Sequence, residues 1–287
     1  MIFLLLSILA STAIFVVFKL LGRYKINTLQ AIVINYITAS ITGVLNYEGH
    51  VNIQEIIDTK WFIGALALGF LFITVFNLMA LTAQRNGLSV ASVAGKMSVI
   101  IPVIFGVYAY NESMGFQKVI GVILALIAVY LTAVKSKSSF NMRQGLMLPF
   151  LLFLGSGIID TAIKYLETTY VAPNGIPIFS ATIFCCAAII GVLILCLKSV
   201  KGTFKFDKKS ILGGIILGII NYYSIYFLLK ALQFEGLESS NIFTVNNVAI
   251  VMASTLFGLV LFKEHISRKN WLGITLAIIS IFLVTLT

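Results

Sequence analysis

The sequence predicts an all-α membrane protein whose ten transmembrane helices form two inverted five-helix repeats. Three observations lead there. With 60% hydrophobic residues, 10% charged residues and a mean hydropathy of +1.05, the chain cannot cover a water-soluble surface with polar groups. Polar breaks divide it into ten apolar runs, each near the roughly 20 residues that cross about 30 Å of hydrocarbon. Finally, the stretch from Phe105 to Thr132 recurs 152 residues later, from Phe257 to Val284. Phe105-Gly106 falls on Phe257-Gly258, Glu112 on Glu264, Gly121 on Gly273, Leu124-Ala125 on Leu276-Ala277, Ile127 on Ile279 and Leu131 on Leu283. Aliphatic matches carry little weight in such a chain, but a glutamate and a following glycine in register do, because there are only ten acids.

Helix 1 is expected at 2–20; no basic segment precedes it and the run is long for a leader peptide, so it counts as a span. It ends at Lys19, as helix 6 (145–165) ends at Lys164. Helix 2 (28–46) carries Asn35, Tyr36, Thr38 and Thr42, expected as packing groups. Helices 3 (60–83) and 8 (210–232) share a glycine pair, Gly64 and Gly69 against Gly213 and Gly218. Their exits match too, Gln84 and Gly87-Leu88 against Gln233 and Gly236-Leu237. Helix 4 (90–110) contains Pro102, which should leave the Ser98 carbonyl without its helical amide, close to Lys96. Helix 5 (116–134) closes the first copy. Helix 7 (176–197) holds Cys185, Cys186 and Cys196, expected as buried thiols. Helices 9 (239–261) and 10 (269–286) repeat the hairpin of helices 4 and 5. The repeats are thus 1–137 and 138–287 of a single membrane domain. Five is odd, so the second copy should lie upside down.

Lys and Arg are unevenly placed. Loops after helices 1, 3, 5, 7 and 9 carry fifteen: Lys19, Arg23, Lys25; Arg85; Lys135, Lys137, Arg143; Lys198, Lys201, Lys205, Lys208, Lys209; and Lys263, Arg268, Lys269. The other side has Lys60 and Lys118. That asymmetry places the odd loops in the cytoplasm and both termini outside, in the cell (inner) membrane. The net charge of +10 therefore reads as membrane-edge lysines, and no nucleic-acid partner is expected. There is no metal-ligand spacing, no nucleotide-binding loop, and no catalytic constellation around His50 or His265, so neither metal, cofactor nor enzymatic activity is expected.

The doubled pattern, an aliphatic helix ending in Glu112 or Glu264 followed by a helix opened at Gly121 or Gly273, resembles the EamA-type members of the drug/metabolite transporter superfamily. So does Lys230-Ala231-Leu232 ending helix 8, with Gly236 and a polar start to helix 9. The resemblance spans the whole chain. It implies ten helices in two inverted five-helix repeats, a central cavity lined by helices 1, 3, 4, 6, 8 and 9, and transport of small metabolites, often amino-acid export. Two departures stand out: Pro102 has no counterpart near Val251 to Ser254, and the family implies cytoplasmic termini where this chain's charges place them outside.

An ionisable group inside the bilayer costs about 2.5–3.5 kcal/mol on insertion scales, so each needs a partner or a role. Lys96 has no acid at one helical turn, and its repeat mate is Val245. A fixed cation for a substrate anion is one reading; snorkelling, or pairing with an acid on another helix, is the other. Lys164 has Asp160 and Glu167 nearby and reads as a local pair. Symmetry suggests two gate ion pairs, Lys19 with Glu264 and Lys164 with Glu112, against the alternative of solvated helix-end charges. Candidates for a substrate-lining surface are Lys96, Ser92, Asn77, Asn221, Tyr222, Tyr226, Asn246 and Asn247, with interhelical hydrogen bonding as the plainer explanation for part of them. The expected function is secondary transport of a small anionic or zwitterionic metabolite, as amino-acid export, by alternating access in a monomer or homodimer. Proton coupling through Asp160 is the candidate drive. Organic-cation or drug efflux, lipid-carrier flipping, and a non-transporting assembly subunit are the alternatives.

Overall fold

A computed structural model describes residues 2–47, 49, 51–110, 115–133, 142–171, 175–232 and 239–285. Twelve helical segments and no strand occur among them: α1 (Ile2–Arg23), α2 (Thr28–Leu45), α3 (Ile53–Ile57), α4 (Phe62–Arg85), α5 (Leu88–Met97), α6 (Ile100–Tyr110), α7 (Phe116–Ala133), α8 (Met142–Tyr170), α9 (Ile176–Val200), α10 (Lys209–Leu232), α11 (Ser239–Phe262) and α12 (Arg268–Thr285). Eight spans among the described residues are long and apolar enough to cross a membrane, and Val119–Thr132 adds a shorter apolar helix. Two differences from the sequence reading are informative. The loop after α2 contains the short α3, started where the Asn52 side chain accepts from the Gln54 amide. The expected fourth helix is broken into α5 and α6 at Ser98 and Val99.

Pro102 explains the break, although not as expected. Lacking an N–H, it cannot bond to the Ser98 carbonyl. That carbonyl nevertheless accepts from the Ile101 amide at 2.9 Å in a tightened turn, and the Val99 carbonyl takes the Val103 amide at 3.2 Å. The Ser98 carbonyl is therefore satisfied, correcting the expectation of a freed acceptor beside Lys96.

The chain forms two compact units, each drawing on both halves of the sequence. The first comprises Met1–Leu20, Leu78–Asp160 and Tyr223–Thr287. Its core gathers Val93, Met97, Ile100, Ala125, Phe153, Val251, Ile274 and Ala277 from α5, α6, α7, α8, α11 and α12. Here α7 and its repeat mate α12 run antiparallel. The Asn270 side chain, at the start of α12, donates to the Leu131 and Thr132 carbonyls at 3.1 and 2.6 Å, at the end of α7. Ser280, farther along α12, donates to the Gly121 carbonyl at 2.7 Å. The mates α5 and α11 do the same: Leu88 lies by Gly258, while Ser254 Oγ donates to Ser92 Oγ at 2.6 Å.

The second unit comprises Leu21–Asn77 and Thr161–Tyr222. Its α2 and α9, again mates, are antiparallel. Ser40 donates to the Ala181 carbonyl at 3.2 Å, and farther back along α2 Val33 packs at Gly191. Tyr36 is fully buried with Phe72, Phe76 and Phe184 around its ring, and its hydroxyl donates to the Phe72 carbonyl at 2.9 Å. Of the three cysteines, Cys186 is buried but Cys185 and Cys196 are exposed, which corrects the reading of all three as buried. The matched glycines make matched contacts: Gly64 faces Leu166 of α8, and Gly213 faces Leu21 of α1. Gly69 meets α9 as Gly218 meets α2. A Cβ on Gly69 would fall 2.7 Å from Cys186 Cβ and 2.8 Å from the Ala187 nitrogen; one on Gly218 would fall 2.6 Å from the Asn35 carbonyl oxygen. Small residues of this kind let helix backbones approach closely where lipid offers no competing hydrophobic drive. Gly69→Ala is therefore expected to lower stability by about 1–3 kcal/mol through overpacking, where an unconstrained helix would gain about 1 kcal/mol from alanine. The sign of the melting shift in detergent decides between them.

One end of this unit is a polar clasp between the α1–α2 and α9–α10 loops. Asp207 Oδ2 accepts from the Asn27 amide at 3.0 Å, the Gln30 side chain accepts from the Asp207 amide at 3.0 Å, and it donates to the Lys205 carbonyl at 2.6 Å. Ser210 Oγ donates to the Asn27 carbonyl at 3.1 Å. The Asn27 amide above all, with the Lys209 amide and the Ser210 hydroxyl, holds the Asp207 carboxyl below the usual carboxylate range. A lowered folded value means that the charged form stabilises the clasp fully above the ordinary carboxylate pKa of about 4, and that this is lost as pH falls through the lower folded value. The melting advantage of the parent over Asp207→Asn should accordingly shrink on acidification below about pH 4. An advantage that did not change with pH would show that the charge is irrelevant.

Candidate functional site

The first unit contains two charged constellations. In the first, α5 ends around Lys96, and the break after Met97 turns the Ser98 hydroxyl toward α8. Gly157 permits the approach, since a Cβ there would overlap the Ile101 side chain, and one turn later α8 presents Asp160. Ser98 Oγ lies 2.6 Å from the Gly95 carbonyl and 3.3 Å from Asp160 Oδ2. Its single proton serves one acceptor at a time. Lys96 and Asp160 are electrostatic neighbours. Lys96 is half-buried and Asp160 is exposed, and the two charges act on each other without closing into an ion pair. The acid that Lys96 lacks on its own helix is thus supplied by another.

The second constellation closes one end of the same unit. Lys19 Nζ lies 2.9 Å from Glu264 Oε1, with the two side chains 21% and 12% exposed. Lys19 also donates to the Ala83 carbonyl at 3.0 Å, while the Gln84 side chain returns a bond to the Phe18 carbonyl at 3.0 Å. Glu264 does more than pair. Both its oxygens accept from the Leu88 amide, at 3.1 and 3.0 Å, capping the start of α5. Two glycines give the carboxylate its room: a Cβ at Gly258 or Gly87 would come within 2.7 or 2.8 Å of Oε2, and Gly87 has φ +116° besides. Lys263, at φ 51°, turns the chain out of α11 so that the Glu264 amide bonds back to the Gly258 carbonyl at 2.9 Å.

The remaining candidates are dispersed. Ser92 is fully buried in its bond with Ser254. Asn246 accepts from Ser7 Oγ at 3.2 Å, a hydroxyl that also reaches the Ser224 carbonyl at 3.1 Å; it therefore ties α1 to α10 and α11. Asn247 is buried. Tyr226 packs edge-on to Tyr223, with Lys230 Nζ 5.9 Å from its ring centre. Asn77, Asn221, Tyr222 and Lys164 belong to the second unit. There Asn77 bonds its own helix at the Ile73 carbonyl, 2.7 Å away, and Asn221 is buried. Glu112, the proposed partner of Lys164, lies outside the described residues. Sequence reasoning missed Ser98, Ser254 and the capping of Leu88.

The sequence model of the EamA-like transporter family matches this chain twice, over residues 1–134 and 143–286. An uncharacterized protein of Haemophilus influenzae is 32% identical over 289 residues, covering 97% of this chain and 96% of that protein. A crystal structure of another protein, 14% identical, superposes with a TM-score of 0.56 over 98% of this chain and 97% of its own, a likeness of fold.

Proposed function

Because the chain belongs to the EamA-like transporter family and is a multi-pass membrane protein built on its two-repeat architecture, we propose that it is a secondary transporter of a small zwitterionic metabolite, an amino acid above all, working by alternating access. The observation that carries this is the bond from Ser98 to Asp160, which brings a carboxylate of α8 to the end of α5 where Lys96 lies. A cation and a carboxylate within electrostatic reach of each other match the carboxylate and ammonium of an amino acid. The attraction between the two charges offsets part of the cost of holding either within the membrane. On binding, the substrate's two charges replace that mutual partnership. The pair also disfavours a purely cationic substrate, for which Lys96 would be repulsive. Proton coupling fits the same place, with Asp160 as the group that takes and releases the proton and Ser98 as its hydrogen-bond partner.

The halves 1–137 and 138–287 act as two inverted repeats of five spans, a proposal supported by the antiparallel packing of the mates α2 with α9, α5 with α11, and α7 with α12. The Lys19 and Glu264 latch serves as the gate on the side of the odd loops, placed in the cytoplasm of the inner membrane by their basic residues. The outward direction of flux is part of the same proposal. Flux of labelled amino acids, monocarboxylates and organic cations into proteoliposomes, with and without a pH gradient, tests it. Zwitterions should move, faster with the gradient; transport confined to cations or to lipid would overturn the proposal. A reporter active only outside the cytoplasm should work when fused after Thr287, and silence there would reverse the orientation.

A further inference from the structure

The polar clasp assembles something that neither loop has by itself. Residues 23–27 bring Arg23 and Lys25; residues 201–209 bring Lys201, Lys205, Lys208 and Lys209, and all six are exposed. The loops are distant in sequence and are locked together by the bonds of Gln30 to both sides of Phe206 and of Asp207 to Asn27. Asp207, the acid in these two stretches, is engaged by the amides of Asn27 and Lys209. Asp207 offsets Lys209 in part, so six cations against one acid leave a strong positive excess on the exposed side of the clasp. Between them stand two exposed aromatic side chains, Tyr24 at 62% and Phe206 at 61% exposure.

Depth decides what this surface meets. Arg23 ends α1 and Lys209 opens α10, so the cations sit where apolar spans leave the hydrocarbon, at the level of the lipid headgroups. Exposed aromatics at that level insert among headgroups, and clustered lysines attract anionic ones. We infer that the clasped α1–α2 and α9–α10 loops form a binding surface for the phosphodiester headgroups of anionic membrane lipids. A free phosphate ion would satisfy the cations but leave Tyr24 and Phe206 unused. The bound lipid would tie the second unit to its leaflet through cations that the gradient-driven cycle does not consume, and the surface stands whether or not the transport proposal does.

Native mass spectrometry of protein extracted from nanodiscs, containing equal phosphatidylglycerol and phosphatidylethanolamine, reads the preference directly. The parent should retain phosphatidylglycerol at least about tenfold over phosphatidylethanolamine at low salt, with the preference falling as salt rises. Lys205→Gln/Lys208→Gln/Lys209→Gln should lose most of it, and Lys60→Gln should not. Gln30→Ala keeps all six cations but loosens the clasp, and its preference should fall several-fold at an unchanged secondary-structure content. Retention by the triple variant equal to the parent's would overturn the inference. So would an undiminished preference in Gln30→Ala, which would mean that charge without the assembled loops suffices. Displacement of the lipid by millimolar inorganic phosphate would mark a small-anion site and overturn it as well.

Discussion

Asp160→Asn is expected to abolish substrate flux and to lower the melting temperature of the purified protein. The variant leaves the Lys96 cation within the bilayer without its carboxylate. An uncompensated cation within the bilayer costs about 2.5–3.5 kcal/mol on insertion scales, and the loss is smaller here because Asp160 is exposed and Lys96 only half-buried. Lys96→Met should weaken substrate binding by about 1.5–3 kcal/mol, the range for a lost hydrogen bond to a charged group. The informative variant removes both charges. Lys96→Met/Asp160→Leu should melt at or above the parent temperature, since it leaves neither charge uncompensated within the bilayer, and still transport nothing. Transport at the parental rate by this double variant would reduce the pair to a structural one.

The second large effect is expected at the latch. Glu264→Ala removes the partner of Lys19 and the acceptor of the Leu88 amide together, and should destabilise the closed end by about 1–3 kcal/mol. In a background free of native cysteines, a cysteine at the buried Ser89 should then react with a membrane-impermeant maleimide roughly tenfold faster or more, the factor corresponding to 1.4 kcal/mol. Glu264→Gln should fall between, because its amide oxygen still accepts from Leu88. Charge reversal, Lys19→Glu with Glu264→Lys, restores opposite charges but sets an ammonium, which accepts nothing, over the Leu88 N–H. It should remain unlatched. Full recovery by the reversed pair would show that charge attraction is the whole of the latch.

These two sites differ in how far the sequence revealed them. Lys19 and Glu264 could be paired on paper because the repeat places them at corresponding helix ends. The cap on Leu88 could not, since it depends on the room left by Gly87 and Gly258 and on the turn at Lys263, none of which periodicity reports. At Lys96, local spacing was not enough: Asp160 lies one turn from Lys164 in sequence, and that proximity drew attention away from its relation to Lys96. A better signal was present. Lys96 corresponds to Val245, and Asp160, by the same register that matches Lys164 to Lys19, corresponds to Phe15. Two opposite charges that each violate the repeat are natural partners for one another. The spans themselves were legible because an apolar run leaves little doubt, whereas the break between α5 and α6 turned on how the backbone around Pro102 re-paired its amides.

The contacts between the first and second halves of the chain also bear on how the protein is made. Gly121 meets Ser280, Ser92 meets Ser254, Ser7 meets Asn246, and Ala181 meets Ser40; each contact joins the first half of the chain to the second. A ribosome delivers the halves one after the other, so the early helices enter the bilayer with their close-packing glycines and buried hydroxyls still lacking the surfaces that will cover them. During that interval Asp160 has not yet emerged, and Lys96 must wait in the membrane without it. The order of synthesis therefore leaves the first half dependent on the second for its final packing, and a chain stopped after the fifth helix would be an early target for membrane quality control.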